Sequence, residues 1–263
     1  CEFCKLGKEN LCIDLQYLNG AFAEFILVPR RFVETNVHLI PNNLSFEIAA
    51  LTEPLGCVLH GIDSCDLDQY SSDFSPEIIV FGAGPIGLLF VTALTMRNCK
   101  VILADPNLNR LAVGKKMGAF KTVLIEREGN QETFIKAATE DQKGAQIVID
   151  ATGVPQVWQD AIKCVKPGGL VNLFGGCAPG TQVSIDTYLL HYQELTIKGV
   201  YHHSPKKIRC ALNMLAKSDF QFNMLLSGEL PIEKTEDALL SMMRRETLKV
   251  VIKPGLNRAK AIG

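Results

Sequence analysis

Two groups of residues in this chain have the types and spacing to do chemistry. The first is Gly82-Ala83-Gly84-Pro85-Ile86-Gly87, which follows the apolar run Glu77-Ile78-Ile79-Val80-Phe81 and leads directly into a helical pattern. In such a G-x-G-x-x-G turn, Gly82 permits the tight reversal, Gly84 lets a pyrophosphate approach the backbone, and Gly87 lets helix and strand pack closely. The free N–H groups at the start of the helix then face the phosphates. A Gly-rich turn alone often binds nothing, but here it has company. A second strand pattern ends at Asp105, 18 residues beyond Gly87, in place to accept hydrogen bonds from the adenosine ribose hydroxyls. A carboxylate there repels a 2′-phosphate, so NAD is expected over NADP. Asp105-Pro106-Asn107 also reads as a plain turn after a strand. An S-adenosylmethionine-dependent methyltransferase would share the glycine turn and the acid; it would leave the flanking β segments and the cysteines unexplained.

The second group is Cys1-Glu2-Phe3-Cys4 with Cys12 after seven further residues. Thiolates at this spacing, with Gly7 letting the loop fold back, suit a tetrahedral structural zinc. Only three ligands are present, and a cysteine three residues before Cys1 would supply the fourth. A reduced, incidental cluster is the competing reading. The other six of the nine cysteines are scattered among apolar neighbours. An odd total at irregular spacing makes a poor disulfide framework and points to a reduced, cytoplasmic protein.

Both groups need elements to hold them. From residue 76 onward, short β-rich runs alternate with helical ones: strands at 77–81, 100–104, 121–125, 145–150, 170–174 and 195–200, and helices near 86–96, 109–117, 132–139, 155–165 and, more weakly, 185–191. Apolar runs without strict alternation mark strands buried on both faces, as in a parallel sheet covered by helices. The expected fold class is therefore α/β, with a doubly wound parallel Rossmann sheet. The flanks differ. Ala21–Pro29 and Arg31–Ile40 read as β or extended, and a helix is expected to start at the N-cap Ser45 with Glu47 in its first turn. Lys234–Arg245 reads as an amphipathic helix, Lys249–Lys253 as a closing strand, and the residues from Gly255 as a loose tail.

A formal net charge of −1 gives no overall field to draw the chain to nucleic acid or an anionic membrane, so neither is an expected partner. No apolar run reaches the roughly 18–20 residues of a membrane-spanning helix. The chain opens on a cysteine rather than a methionine, which suggests a fragment or a processed protein.

Taken together, these residues resemble the zinc-containing medium-chain dehydrogenases of the alcohol dehydrogenase superfamily, in the branch of polyol (sorbitol-type) and threonine dehydrogenases. The matching pieces run from Cys1 to about Pro254. They are the cysteine lobe, Gly20–Phe25, Thr52-Glu53-Pro54-Leu55, Gly82–Gly87, Asp105 with Arg110, Asp150-Ala151-Thr152-Gly153, Lys166-Pro167-Gly168-Gly169 and Lys249–Pro254. The resemblance implies that Ile86, Pro85 and the glycines cover the pyrophosphate and that Asp105 and Arg110 hold the adenosine ribose. It also implies that Thr152, Phe174, Gly175, Gly176, Val200 and Tyr201 line the coenzyme cleft. Glu53 matches the acid that this branch keeps beside the catalytic zinc, although an acid on a helix surface reads the same way. His60 is expected to be structural, and His202 and His203 to be cleft or surface residues rather than metal ligands.

The implied organisation is a partial β-rich, GroES-like catalytic domain with the zinc lobe at 1–45, an NAD-binding Rossmann domain at 46–218, and a return to the catalytic domain at 219–263. The implied activity is zinc-dependent oxidation of a secondary alcohol or polyol, with hydride passing from the carbinol carbon to NAD in a homodimer or homotetramer. One departure stands out. The family's Cys and His-Glu ligands of the catalytic zinc precede the cysteine lobe and are not in this chain, so the chain is expected to be N-terminally truncated. Two alternatives follow: a catalytically inactive NAD-binding protein, or a zinc-free quinone oxidoreductase of the same superfamily. The cysteine lobe and Glu53 argue against the latter.

Overall fold

Ile78, Ile79 and Val80 are fully buried and Glu77 and Phe81 nearly so, so the strand before the glycine turn is covered on both faces. The computed structural model that shows this describes residues 1–126, 131–217 and 219–255. The chain forms two units, Cys57–His202 and a second made of Cys1–Gly56 with the residues from His203 onward.

The first unit is built on six parallel strands: β1 Glu77–Phe81, β2 Lys100–Asp105, β3 Lys121–Leu124, β4 Ala145–Asp150, β5 Val165–Leu173 and β6 Thr196–Gly199. Their order across the sheet is β3-β2-β1-β4-β5-β6. The chain builds outward from β1 to β3, then crosses back to place β4 on the other side of β1. That reversal opens a crevice at the carboxyl ends of β1 and β4. The register brings these ends level, with Phe81 beside Ala104 and Asp150, and Asp150 beside Leu173. Helices Pro85–Thr95, Leu108–Lys116, Gln131–Ala138, Pro155–Lys163 and Thr187–Tyr192 connect the strands. Ile79, Ile102, Val148 and Val171 meet Ile135 and Ala161 in one buried cluster. Each fully buried aliphatic side chain contributes about 1.5–3 kcal/mol, so the sheet centre holds the crevice rigid.

The six strands expected from residue 76 onward all form, β1 and β4 with the expected bounds and the others with shifted ends. β5 starts five residues earlier than expected because Val165 pairs with Ala145 across an irregularity in the register. The helix expected from the weak signal at 185–191 forms at Thr187–Tyr192, capped by the Asp186 carboxylate.

In the second unit, the Ser45 hydroxyl accepts from the Ile48 N–H, capping the short helix Phe46–Ala49, and the helix Thr52–Asp63 starts just beyond. β7 Leu226–Pro231 and β8 Lys249–Lys253 pair in parallel across the helix Thr235–Met243. Two expectations fail here. Arg31–Ile40 is not extended: Arg30–Asn36 is a helix, supported by an Arg30–Glu34 ion pair at 2.6 Å and the Thr35 hydroxyl on the Arg31 carbonyl at 2.9 Å. Val33, Thr35 and Val37 mimic strand alternation, but a strand must satisfy its backbone groups on a neighbour. Ala21–Pro29 likewise forms no strand, and among the described residues 1–45 contain none. The helix Pro205–Lys217 was not anticipated, although Ile208, Ala211, Leu212 and Leu215 recur at helical spacing after Ser204-Pro205. The tail expected from Gly255 lies, beyond that residue, outside the described residues. No described helix is long and apolar enough to cross a membrane.

Candidate functional site

The glycine turn has three different reasons for its three glycines. Gly82 has φ +97°, a left-handed conformation that other residues avoid. At Gly87 a Cβ would sit 1.7 Å from the Gly82 carbonyl oxygen, so only hydrogen fits where helix meets strand. At Gly84 a Cβ would meet nothing within 4 Å. The space above Gly84 is open, as a phosphate cradle requires. Gly84 is also the N-cap of Pro85–Thr95 and has no side chain to occupy the first N–H groups, while Pro85 at N1 has none to offer. With Ile86 following, the helix start is available to an anion.

Asp105 comes to this turn. Its Oδ2 accepts from the Ala83 N–H at 2.7 Å, and its Oδ1 from the Asn107 N–H at 2.8 Å. The side chain at the end of β2 therefore reaches the turn after β1, 22 residues earlier, and stays 8% exposed. Arg110 lies in the first turn of Leu108–Lys116, its N–H on the Asn107 side-chain oxygen at 3.1 Å. Thr152 follows β4, and its methyl lies 2.8 Å from where a Cβ on Gly82 would be. After β5, the Phe174 ring turns to Phe90, edge to face at 4.9 Å, and only Gly175 and Gly176 continue along the crevice. Val200 is half-buried and Tyr201 exposed beyond β6, the Tyr201 ring 5.7 Å from that of His202. The expected coenzyme residues thus fall at the carboxyl ends of neighbouring strands.

In the other unit, the Cys1 sulfur lies 3.6 Å from that of Cys4 and 4.0 Å from that of Cys12. Tetrahedral zinc with bonds of about 2.3 Å sets its sulfurs roughly 3.8 Å apart, so the three thiols are spaced as ligands of one ion. Hydrogen bonding and charge from Cys12 raise the Cys4 thiol above its ordinary value. A zinc ion takes thiols as thiolates, so its binding at such a cluster would release protons.

Glu53 stands in the first turn of Thr52–Asp63, and here the structure adds a neighbour that the sequence does not reveal. His203, expected in the cleft or on the surface, is largely buried and places its Nε2 3.5 Å from Glu53 Oε1. The two residues are 150 positions apart, and no local pattern links them. Burial lowers the Lys249 ammonium, and the Glu53 charge acts against that shift. Beside this pair, Asn36, His38, Ile40, Phe46, Ile208 and Leu212 line a groove of about 450 Å³. Among the described residues, His60 joins neither the thiol cluster nor Glu53 in a set of potential metal ligands.

Residues 85–217 match the family model of zinc-binding dehydrogenases. Over 265 residues the chain is 31% identical to the sorbitol dehydrogenase of Bacillus subtilis, covering 97% of this chain and 70% of that enzyme. The chain belongs to the zinc-binding dehydrogenase family. Within it, the D-altritol 5-dehydrogenase of Agrobacterium fabrum is 33% identical over 240 residues, covering 89% of this chain and 66% of the relative. Among solved structures, one from Sinorhizobium meliloti, designated a zinc-binding dehydrogenase and bound to NADP, superposes with a TM-score of 0.86 at 26% identity. It covers 97% of this chain, which in turn spans 73% of that protein. This zinc-binding dehydrogenase is therefore an oxidoreductase of the alcohol and polyol type, and the family supports the expected pairing of a nicotinamide dinucleotide with zinc.

Proposed function

We propose that this chain binds NAD(H) in the crevice at the carboxyl ends of β1, β2, β4 and β5, and serves the oxidation of a secondary alcohol or polyol. The observation that carries the reading is the 2.7 Å bond from the Ala83 N–H to Asp105 Oδ2 beside the open space over Gly84. Phosphate cradle and ribose carboxylate share one wall. Gly84 and the start of Pro85–Thr95 receive the pyrophosphate; Asp105, with Arg110, receives the adenosine ribose. Thr152, Gly175, Gly176, Val200 and Tyr201 receive the nicotinamide half. When bound, NAD accepts the hydride from the carbinol carbon. The anionic, largely buried Asp105 selects against a 2′-phosphate, so the coenzyme differs from the NADP of the Sinorhizobium relative.

Zinc has two places in this proposal. Cys1, Cys4 and Cys12 hold a structural ion, and Glu53 stands beside the catalytic one, where a bound zinc polarises the substrate oxygen. The domain division proposed is 1–45, 46–218 and 219–263, its coenzyme domain wider at both ends than the compact unit Cys57–His202, and the protein works in the cytoplasm as a homodimer or homotetramer. The place of β6 at the edge of the sheet supports self-association, since an edge strand offers backbone groups to a partner.

Titration of NADH and NADPH by fluorescence tests the core of this reading. NADH is expected to bind at least about tenfold more tightly, the equivalent of one lost charged hydrogen bond. Tighter binding of NADPH would overturn the role of Asp105.

A further inference from the structure

The end of β4 carries a buried carboxylate that the coenzyme reading leaves without a task. Asp150 is fully buried. Its Oδ1 accepts from the Thr152 N–H at 3.0 Å and from the Thr152 hydroxyl at 2.6 Å, and its Oδ2 accepts from the Gly153 N–H at 3.0 Å. Its backbone carbonyl accepts from the N–H groups of Phe174 at 3.2 Å and Gly175 at 2.8 Å. One residue thus ties the turn after β4 to the turn after β5. The two turns are pressed together. A Cβ on Gly175 would lie 2.2 Å from the Gly153 nitrogen and 2.7 Å from Asp150 Oδ2, and one on Gly153, at φ +67°, would lie 2.4 Å from the Gly176 oxygen. Trp158 adds a peg, its indole N–H on the Gly175 carbonyl at 3.0 Å.

Burial raises the Asp150 carboxyl above its ordinary value even against these donors. An ionised group in such a place is costly to keep, and its donors come from the loops rather than from a neighbouring cation. Those loops carry the residues assigned to the nicotinamide half, and none of them belongs to the adenosine half. We propose that Asp150 is the positioning residue of the nicotinamide half of the cleft, fixing Thr152, Gly153 and Gly175 at the separation the ring and its ribose require. The inference rests on the dinucleotide reading above and adds a division of labour: Asp105 and the glycine turn grip one end, and Asp150 shapes the other without touching the coenzyme. Positioning of this kind matters because small displacements of a contact surface have large effects on a bound geometry.

The test compares NAD(H) with AMP, which reaches only the adenosine half. Asp150→Asn keeps the shape but turns an amide donor toward the Thr152 or Gly153 N–H. It is expected to weaken NADH binding about tenfold or more while leaving AMP within about threefold of wild type. Trp158 is the sole tryptophan of the chain, so its emission reports on the β5 turn and is expected to shift in this variant. Equal weakening of both ligands, or none of either, overturns the proposal. Should Asp150→Asn fail to fold, Thr152→Ala and Thr152→Ser replace it. The Thr152 hydroxyl donates to Asp150 and accepts from the Val154 N–H at 3.1 Å, so Ala, which loses both bonds, is expected to lower the NADH-to-AMP ratio further than Ser, which keeps them. Identical ratios in the two variants would sink the idea. Wild-type protein binding neither NADH nor AMP sinks the dinucleotide reading and this inference with it; intact wild-type binding with an unchanged Asp150→Asn ratio sinks only the inference.

Discussion

Gly84 and Gly87 lie three residues apart in one turn, and alanine at each should fail for opposite reasons. A methyl at Gly87 would sit 1.7 Å from the Gly82 oxygen and 2.9 Å from its carbonyl carbon. Carbon-to-oxygen contacts settle at roughly 3.3–3.6 Å, so the helix Pro85–Thr95 must retreat by more than about 1.5 Å or the turn must open. The obstacle is backbone, and no rotamer relieves it. Overpacking of a well-filled core costs about 1–3 kcal/mol and occasionally more. At about 2–4 °C per kcal/mol for a chain near this size, Gly87→Ala is expected to lower Tm by roughly 6–12 °C at the upper end of that cost. Gly84→Ala meets no atom within 4 Å and occupies an ordinary extended backbone, φ −74° and ψ 178°. Its weaker N-cap and its stiffer unfolded chain oppose each other, leaving stability within about 1 kcal/mol of wild type. Its methyl, however, projects into the phosphate cradle. Losing one or two charged hydrogen bonds of about 1.5–3 kcal/mol each weakens NADH binding by at least about tenfold. Thermal unfolding and NADH titration of both variants decide the matter. A Gly84→Ala protein that binds NADH like wild type refutes the cradle, and a Gly87→Ala protein of wild-type stability refutes the packing.

Two further outcomes follow from the thiols and the acids. Burial pushes the Cys65 and Cys164 thiols up to about 12 and Cys99 to about 11, so alkylation of native protein at pH near 8 should spare them and modify exposed Cys210. Added zinc should then protect Cys1, Cys4 and Cys12; peptide mapping that finds Cys65 modified as fast as Cys210, or no protection of the triad, would contradict this. The Lys253 ammonium, 2.5 Å from Glu47, is the main reason that carboxyl falls from 4.5 to about 2, with its own backbone N–H and Ser45 assisting. A carboxyl held low in the folded state binds fewer protons there than in the unfolded chain, so the stability it contributes is full above about 4.5 and is lost as pH falls toward 2. The advantage of wild type over Glu47→Gln in urea unfolding should shrink across that window, and an advantage equal at pH 2.5 and pH 6 would count against the ion pair.

Much of this protein was legible in its residues because the signals are local. Unbroken apolar runs of three or four residues marked β1, β2 and β4, since a strand covered on both faces needs no alternation. Gly82, Gly84 and Gly87 marked the turn because backbone sterics admit no other residue in two of those positions. Ser45 and Asp105 were visible for the same reason, as a cap and as the acid at a strand end. The cysteine spacing singled out Cys1, Cys4 and Cys12, whose sulfurs the structure brings together. Where the local signal was ambiguous, tertiary context decided: Val33, Thr35 and Val37 alternate like a strand, yet Arg30–Asn36 is a helix, and among the described residues 1–45 no strand forms. Pairings across long sequence separations were invisible. Nothing in the sequence set His203 against Glu53, or placed the two turns on either side of Asp150, because such contacts depend on which strand exits become neighbours. Spacing and sterics determined the elements and the chemistry they carry; only the order of the sheet, with β4 returning beside β1, determined which side chains stand together.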